Sequence, residues 1–592
     1  MNAELVLKHF NYISDAPEAI RRFRQFIIDL SVRGKLVEQD PSDEPAFESL
    51  KRVRSERKRL SKEKIVKNDK ISGEIQALEK PYSLPGNWQW IRLGECLDMI
   101  NGRAFKPTDW IPSGLPIVRI QNLNTENAPF NYCNESIVEQ RHIIESGCFL
   151  ISWSGTPGTS FGAFIWKRGK AALNQHIFRC VQVGGAYYDR FLQIAINGRL
   201  DEMIAKAHGG VGLQHITKGK LENLPLSLPP LAEQYRIVSK VDELMALCDR
   251  LEMARTERES RRDQLAAASH HHLNNGADSK VFRKHTHFFI GHLPQLTVRS
   301  DQIKKLRQTI LDLAVQGKLG AQNPSDEPAE DLLERIQTRK ASLLGNATIR
   351  QTKACRSFDP NDVPHSIPSS WKWTMLGEIT DIGTGSTPSR TQPSFWDGSI
   401  PWVTSGSTSL SLISSGDEYV TEAAVKAHRL RLYQPGTLLV GLYGQGKTRG
   451  QVAELGIEST INQACAAVCP LPGFESVHPY LKRLLQKNYD EVRLLSAGGT
   501  QPNLNVQKIK ELLVPLPPIP EQARIVAKVD ELMALCDRLE AQLTTAQTEA
   551  SRLLESVLHH ALASSGIDPK TSGPDLPASD LPSATLKPAL IM

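Results

Sequence analysis

Val241–Glu252 reads VDELMALCDRLE, and Val529–Glu540 reads VDELMALCDRLE again. The identity reaches upstream, where Glu233, Gln234, Arg236, Ile237, Val238 and Lys240 recur as Glu521, Gln522, Arg524, Ile525, Val526 and Lys528. The period is 288 residues, from 241 to 529. That is too long for a solenoid unit, so each copy holds a whole domain plus a helix. A proline-rich stop precedes each copy, LPLSLPPLAEQ at Leu224–Gln234 and LVPLPPIPEQ at Leu513–Gln522.

Both stretches begin a heptad seam. Ile237, Val241, Leu244, Cys248 and Leu251 alternate by four and three. So do Ile525, Val529, Leu532, Cys536 and Leu539, and the second seam continues through Leu543, Ala546, Ala550, Leu553 and Val557. This is the a/d spacing of a coiled coil. In the first copy Arg255, Arg258 and Arg262 fall on the seam before Leu265 resumes it. Either that helix pairs over a shorter length, or the arginines face acidic groups on a partner. A helix from Glu233 to His270 would be about 57 Å long at 1.5 Å per residue. Two such helices in one chain are expected to pair antiparallel as a rod, a geometry that also offers docking faces to partners.

A second repeat lies outside the first. Arg24–Ala46 (RQFIIDLSVRGKLVEQDPSDEPA) matches Arg307–Ala329 (RQTILDLAVQGKLGAQNPSDEPA) at 16 of 23 positions. The chain is therefore an N-segment, a variable region and a long helix, spelled twice. Ile20, Phe23, Ile27 and Leu30 place a helix over Pro17–Val37, and a second helix is expected over Phe47–Lys67. Residues Lys51–Lys70 carry ten Lys/Arg against three Asp/Glu, either a solvated helix face or a surface for phosphates or an acidic partner. Asn274–Arg299 reads as an irregular connection. The Pro/Ser/Gly/Asp-rich tail from Ser564 reads as disordered. The expected division is 1–80 for the N-segment, 81–228 for a first variable domain and 229–366 for the central repeat. Then come 367–516 for a second variable domain, 517–563 for the second long helix and 564–592 for the tail.

The variable regions open alike, with LPGNWQWIRLGE at Leu84–Glu95 and IPSSWKWTMLGE at Ile367–Glu378, then diverge. Short apolar runs such as CFLISWSG and TLLVGLYG alternate with Gly, Pro, Asn and Ser. That predicts strand-rich domains with long loops, hence an α+β chain with a pseudo-twofold internal repeat and a curved or barrel-like sheet in each domain.

Length and composition allow about four domains at roughly 150 residues each. The 592 residues carry a net charge of +6, which is compatible with nucleic acid without demanding it. Nine cysteines with no C-x-x-C pair suggest reduced thiols and a cytoplasmic setting. The N-terminus is no signal peptide, and no apolar run is long enough for a bilayer.

Gly441–Thr448, GLYGQGKT, fits G-x-x-x-x-G-K-[ST], which makes a nucleotide-hydrolysing enzyme the rival reading. A true P-loop opens a helix, whereas the residues after Thr448 read as a strand. The equivalent Ser152–Thr159, SWSGTPGT, lacks the lysine. His270–His272 and His559–His560 end the long helices and read as helix-end polar residues rather than metal ligands. Asp and Glu form no catalytic cluster. The remaining chemistry suits base reading, since Arg and Lys pair with guanine, Asn and Gln with adenine, and Ser or Thr with phosphate or base. Glycine-rich loops present these types in the first domain at Arg103, Lys106, Arg119, Gln121, Asn122, Thr156 and Thr159. The second domain offers Ser386, Thr387, Arg390, Gln445, Lys447, Thr448, Arg449 and Gln501.

The doubled E-Q-x-R-I-V-x-K-V-D-E-L-M-A-L-C-D-R-L-E, the W-x-W-x-x-L-G-E openings and the D-L-[AS]-V-x-G-K-L segment resemble the specificity subunit of type I restriction–modification enzymes. The resemblance runs from about residue 17 to 563. It implies two target recognition domains, each reading half of a split, asymmetric double-stranded DNA site, with the paired helices setting the gap. It implies docking of two methyltransferase subunits, and two restriction/translocase subunits that join them. It also implies no catalysis by this chain, with S-adenosylmethionine, ATP and Mg²⁺ held by the partners.

Overall fold

The computed structural model describes residues 10, 13–66, 73–155, 161–199, 208–209, 214–276, 279–356, 358–443, 448–489 and 504–563. The main helices are α1 (Ala19–Val32), α2 (Ala46–Lys62), α3 (Leu231–Asn275), α4 (Ser279–Leu296), α5 (Ser300–Val315), α6 (Ala329–Gly345) and α7 (Ile519–Ala563). The long helices α3 and α7 are 45 residues each. Prolines sit at their starts, where the first-turn amides have no intrahelical acceptor in any case.

Two compact units divide the chain. One comprises 1–257 with 547–592, the other 258–546. Each long helix therefore starts in its own unit and ends in the other. The apolar seams are buried where they begin. Ile237, Val241 and Cys248 join the first unit's core, and Ile525, Val529 and Cys536 join the second's. Leu244, Leu532 and Leu539 pack half-buried against the same cores. These positions hold domains together, so Ile237, Val241, Ile525 and Val529 are unavailable as docking faces. Leu251 is exposed, at 37%.

The far ends of the helices are built on the same plan. In the first unit Leu554 and Leu558 of α7 pack on Ile13, Ala16 and Ala19. In the second, Ala266 and Leu273 of α3 pack on Phe289 and Leu296 of α4. The first seam thus resumes at Ala266, while Leu265 is 40% exposed. The interrupting arginines are engaged within the chain. Arg255 donates to the carbonyls of Asp15 and Ala16, and Arg258 and Arg262 pair with Glu259. The segment expected to be irregular is the helix α4. Phe282, Phe289, Leu293 and Leu296 repeat on one face of it, and the packing partner on α3 overrides the polar, histidine-rich remainder. His270 is no exposed helix end either. It is buried against Phe289, bonded to the Thr309 hydroxyl at 2.9 Å, and burial pushes its pKa down to about 4.

Among the described residues, nine strands of the first variable domain correspond to nine of the second. The first has β1 (Gln89–Arg92), β2 (Leu97–Asn101), β3 (Leu115–Val118), β4 (Asn131–Cys133), β5 (Phe149–Ser152), β6 (Gly162–Ile165), β7 (Ala171–Leu173), β8 (Ile177–Gln182) and β9 (Pro225–Leu228). The second has β10 (Lys372–Met375), β11 (Thr380–Thr384), β12 (Trp396–Val403), β13 (Glu418–Val420), β14 (Leu438–Gly441), β15 (Val452–Leu455), β16 (Thr460–Ile461), β17 (Cys465–Pro470) and β18 (Leu513–Leu516). The orders β2-β8-β5-β6 and β11-β17-β14-β15 match, as do β4-β3-β7 and β13-β12-β16. In both domains the last pair runs parallel, Val118 beside Leu173 and Val403 beside Ile461. β5 and β14 are buried at every residue, which accounts for their unbroken apolar runs. Where one curved or barrel-like sheet was expected in each domain, the strands of each divide among several sheets.

The N-segments clasp each domain to the start of its helix by duplicated chemistry. Trp88 Nε1 donates to buried Glu233 at 2.9 Å, and Gln39 donates to the other oxygen at 2.5 Å. Trp371 and Gln322 do the same for Glu521, at 3.0 and 2.7 Å. Arg236 pairs with Asp43 at 2.6 Å, and Arg524 with Asp326 at 2.6 Å. Arg24 bridges Asp249 and Glu252, as Arg307 bridges Asp537 and Glu540. α1 and α5 end at Gly34 and Gly317, with φ of +69° and +70°, where a Cβ would strike Pro85 and Pro368. The identical stretch that opens each long helix is the carboxylate and arginine side of this clasp.

Candidate nucleic-acid interface

Three chain segments meet at one end of each domain. In the first, the strand ends of β2, β3 and β7 converge. Arg103 N donates to Leu173 O at 2.8 Å, and Asn174 N donates to Val118 O at 3.1 Å. Gly102 lies where a Cβ would come within 2.1 Å of Asn174 O. In the second, Asn462 N donates to Val403 O at 2.9 Å, and a Cβ on Gly385 would come within 1.6 Å of Ile461 O. Glycine is required at both crossings because backbone fills the side-chain space.

The sequence-predicted residues distribute unevenly over this end. Lys106 is exposed. Arg103 is half-buried, bonded to Ile137 O and 3.9 Å from Asp109. Gln121 is exposed, with a 3.4 Å bond to Pro129 O. Arg119 donates to Asn131 Oδ1 at 3.2 Å, with its guanidinium 6.0 Å from the Trp110 ring. Asn122 leaves the set of base readers. It is 2% exposed, its Oδ1 caps the Arg119 amide, and its Nδ2 is spent on Ala128 O and Pro129 O. Thr156 and Thr159 lie outside the described residues.

In the second domain Ser386 accepts the Trp402 indole N–H at 3.1 Å through its carbonyl, and Thr387 donates to Gln463. Arg390 lies 3.8 Å from the Trp396 ring and 5.4 Å from the Trp402 ring. Glu418 receives both of its Nη groups, one at 2.8 Å. That pairing holds the Glu418 carboxyl below its usual value and raises the guanidinium's. Thr448 and Arg449 are half-buried, and Gln445, Lys447 and Gln501 lie outside the described residues.

The P-loop reading of Gly441–Thr448 does not survive. β14 and β15 are antiparallel neighbours, and Gly450 N closes back on Gly441 O at 2.8 Å. Among the described residues the motif leads from β14 through Thr448 to β15, and no helix follows it whose amides could hold phosphates.

Sequence reasoning missed the tryptophans. Trp110 is 44% exposed and comes directly after a 3-10 turn at Pro107–Asp109, and Trp396 directly after its counterpart at Pro393–Phe395. The available signal was a Pro-x-x-Trp spelled in both variable regions.

A family model for the type I restriction modification DNA specificity domain matches residues 85–258 and 368–546. The chain belongs to that family and carries its domain twice. It is 26% identical over 562 residues to the EcoEI specificity subunit of a type I restriction enzyme from Escherichia coli, covering 92% of this chain and 94% of that one. It is 25% identical over 574 residues to the EcoAI specificity subunit from Escherichia coli, with the same coverage. The crystal structure of the HsdS subunit from Thermoanaerobacter tengcongensis aligns over 82% of this chain and 100% of that one, at 19% identity and a TM-score of 0.40. Among the described residues no helix is long and apolar enough to cross a membrane.

Proposed function

We propose that this chain reads a split, asymmetric site on double-stranded DNA, one half-site per variable domain, through the loops at the converging strand ends. It docks two methyltransferase and two restriction/translocase subunits in the cytoplasm. It performs no catalysis itself, and S-adenosylmethionine, ATP and Mg²⁺ are held by those partners. One observation carries this reading. Two domains of the same topology each sit on a copy of the same clasp and share the Asn-Gln pair at the crossing, Asn174–Gln175 and Asn462–Gln463, yet their candidate loops carry different side chains, NGRAFKP and VRIQNL in one against GTGSTPSR in the other. A constant frame with divergent tips is what two independent sequence readers require. The described candidates are Arg103, Lys106, Arg119 and Gln121 in one domain, with Ser386, Thr387, Arg390, Thr448 and Arg449 in the other.

The test is a domain exchange. Residues 84–228 are replaced by the matching region of another family member, and the methylated sites are mapped in cells carrying the whole complex. One half-site is expected to change while the other and its orientation persist. A change in both halves would sink the two-reader model. Substituting Lys447 is expected to alter DNA affinity at most, with no ATP hydrolysis by the purified chain before or after.

A further inference from the structure

We infer that Arg119 and Arg390 are the guanine-reading groups of their domains, each held in a reading pose by the tryptophan after the proline turn. This rests on the DNA-reading function proposed above and names one base that each half-site contains.

Arg103 also lies over a ring, Phe105 at 5.3 Å, but Arg119 and Arg390 alone among the described basic candidates share the tryptophan after the proline turn. Arg390 is stacked on Trp396 at 3.8 Å, with Trp402 at 5.4 Å. Glu418 grips the Nη end of the guanidinium in its own plane. The guanidinium is thereby restrained in both tilt and rotation, yet the side chain stays 55% exposed. Among the described residues nothing bonds its Nε, so that edge still presents N–H donors. Arg119 repeats the plan with different parts. Trp110 supplies the face at 6.0 Å and Asn131 the in-plane acceptor at 3.2 Å. Its Nε is buried without a partner, so its open edge differs from that of Arg390 and is the Nη1 end, which nothing among the described residues bonds.

For Arg390, whose partner is a carboxylate, charge then decides between base and phosphate, whereas Arg119, paired with the neutral Asn131 amide, keeps its full charge. A phosphate is attracted by net charge and tolerates any direction of approach, which suits an exposed lysine such as Lys106. The Arg390–Glu418 pair is neutral as a whole, so its long-range pull on a phosphate is weak. What it retains is direction, a flat donor edge fixed in orientation. Guanine offers O6 and N7 as two acceptors in one plane in the major groove, and a pre-set guanidinium fits them with little further ordering. Glu418 adds discrimination because its carboxylate repels acceptors presented by a wrong base beside it.

The experiment uses the complete complex with its methyltransferase subunits. Methyl transfer and binding are measured on duplexes in which each base pair of the mapped site is varied in turn. Arg119→Ala is expected to lower discrimination at one G·C pair of one half-site by about 10- to 100-fold, and Arg390→Ala at one G·C pair of the other. Arg390→Lys keeps the charge and loses the planar fork, so it should lose discrimination as the alanine variant does. Uniform weakening on cognate and variant duplexes would make these phosphate contacts and overturn the inference. So would a lysine variant that still reads its base, or a natural half-site without a G·C pair. A wild-type complex that fails to prefer its mapped site over random duplex would instead defeat the underlying function.

Discussion

In the first domain Trp110 meets an arginine from the end of β3, Arg119. In the second, the corresponding Trp396 meets Arg390, six residues before it on the loop leading into the turn. The in-plane partner changes too, from the amide of Asn131 to the carboxylate of Glu418. Behind these tips the two domains hardly differ. Trp88 and Trp371 both meet a ring edge-on at 6.4 Å, from Phe191 and Tyr480 respectively, and both donate to a buried glutamate on the long helix. Duplication kept the parts that a change would unfold. It released the parts that only a ligand constrains.

That contrast can be broken at its strongest point first. Trp371→Ala should cost about 3–5 kcal/mol, because a large buried ring is lost and Glu521 loses a donor. Trp88→Ala should cost the same in its own unit. Hydrogen exchange on the full chain should show each loss confined to the unit that carries the lesion, 1–257 with 547–592 or 258–546. Loosening of both units by one substitution would show that the halves are not independent frames.

The next test moves from frame to tip. Gly102→Ala and Gly385→Ala each place a methyl group against backbone carbonyl oxygen. Each should cost about 1–3 kcal/mol as the loop shifts to relieve the overlap. The recognition loss should stay within the half-site of the altered domain, read as methylation of duplexes carrying one intact and one altered half. Equal loss in both halves would separate these glycines from the reading loops.

The frame was far more legible in the sequence than the tips. The repeats marked the clasp because Gln39, Asp43, Glu233 and Arg236 have identical counterparts, and each contact pairs two such residues. Periodicity found α3 and α7 but missed α4, whose apolar face is only complete when Ala266 and Leu273 lie opposite. It also took Leu251 and Leu265 as seam positions, although the packed face drifts by one residue along the helix. At the tips residue type was a poor guide. Asn122 has base-reading chemistry but spends it on its own loop. Arg119 and Arg390 were visible as basic residues. Their tryptophans were not, because stacking joins loops whose spacing differs between the copies.

The smallest expected effect concerns the buried glutamates. Burial pushes the Glu233 and Glu521 carboxyls above the ordinary value of 4.5, although the Trp and Gln hydrogen bonds pull the other way. A carboxyl whose pKa is higher in the folded state binds its proton more tightly there. Its contribution is greatest below 4.5 and is lost as pH rises through the folded value, with a slope of at most ~1.4 kcal/mol per pH unit per group. Other groups act oppositely. Glu259 and Glu454 are held low by arginine and lysine partners, so their contributions fade as pH falls. The informative quantity is therefore the difference in urea midpoint between wild type and the Glu233→Gln, Glu521→Gln double variant, measured from pH 7.5 down to 5. The wild type should gain on the double variant as pH falls. Each single variant should remove half of that gain, since the two clasps have the same donors at nearly the same distances. Unequal halves would mean that the frames, alike in every clasp residue, differ in how far water reaches them.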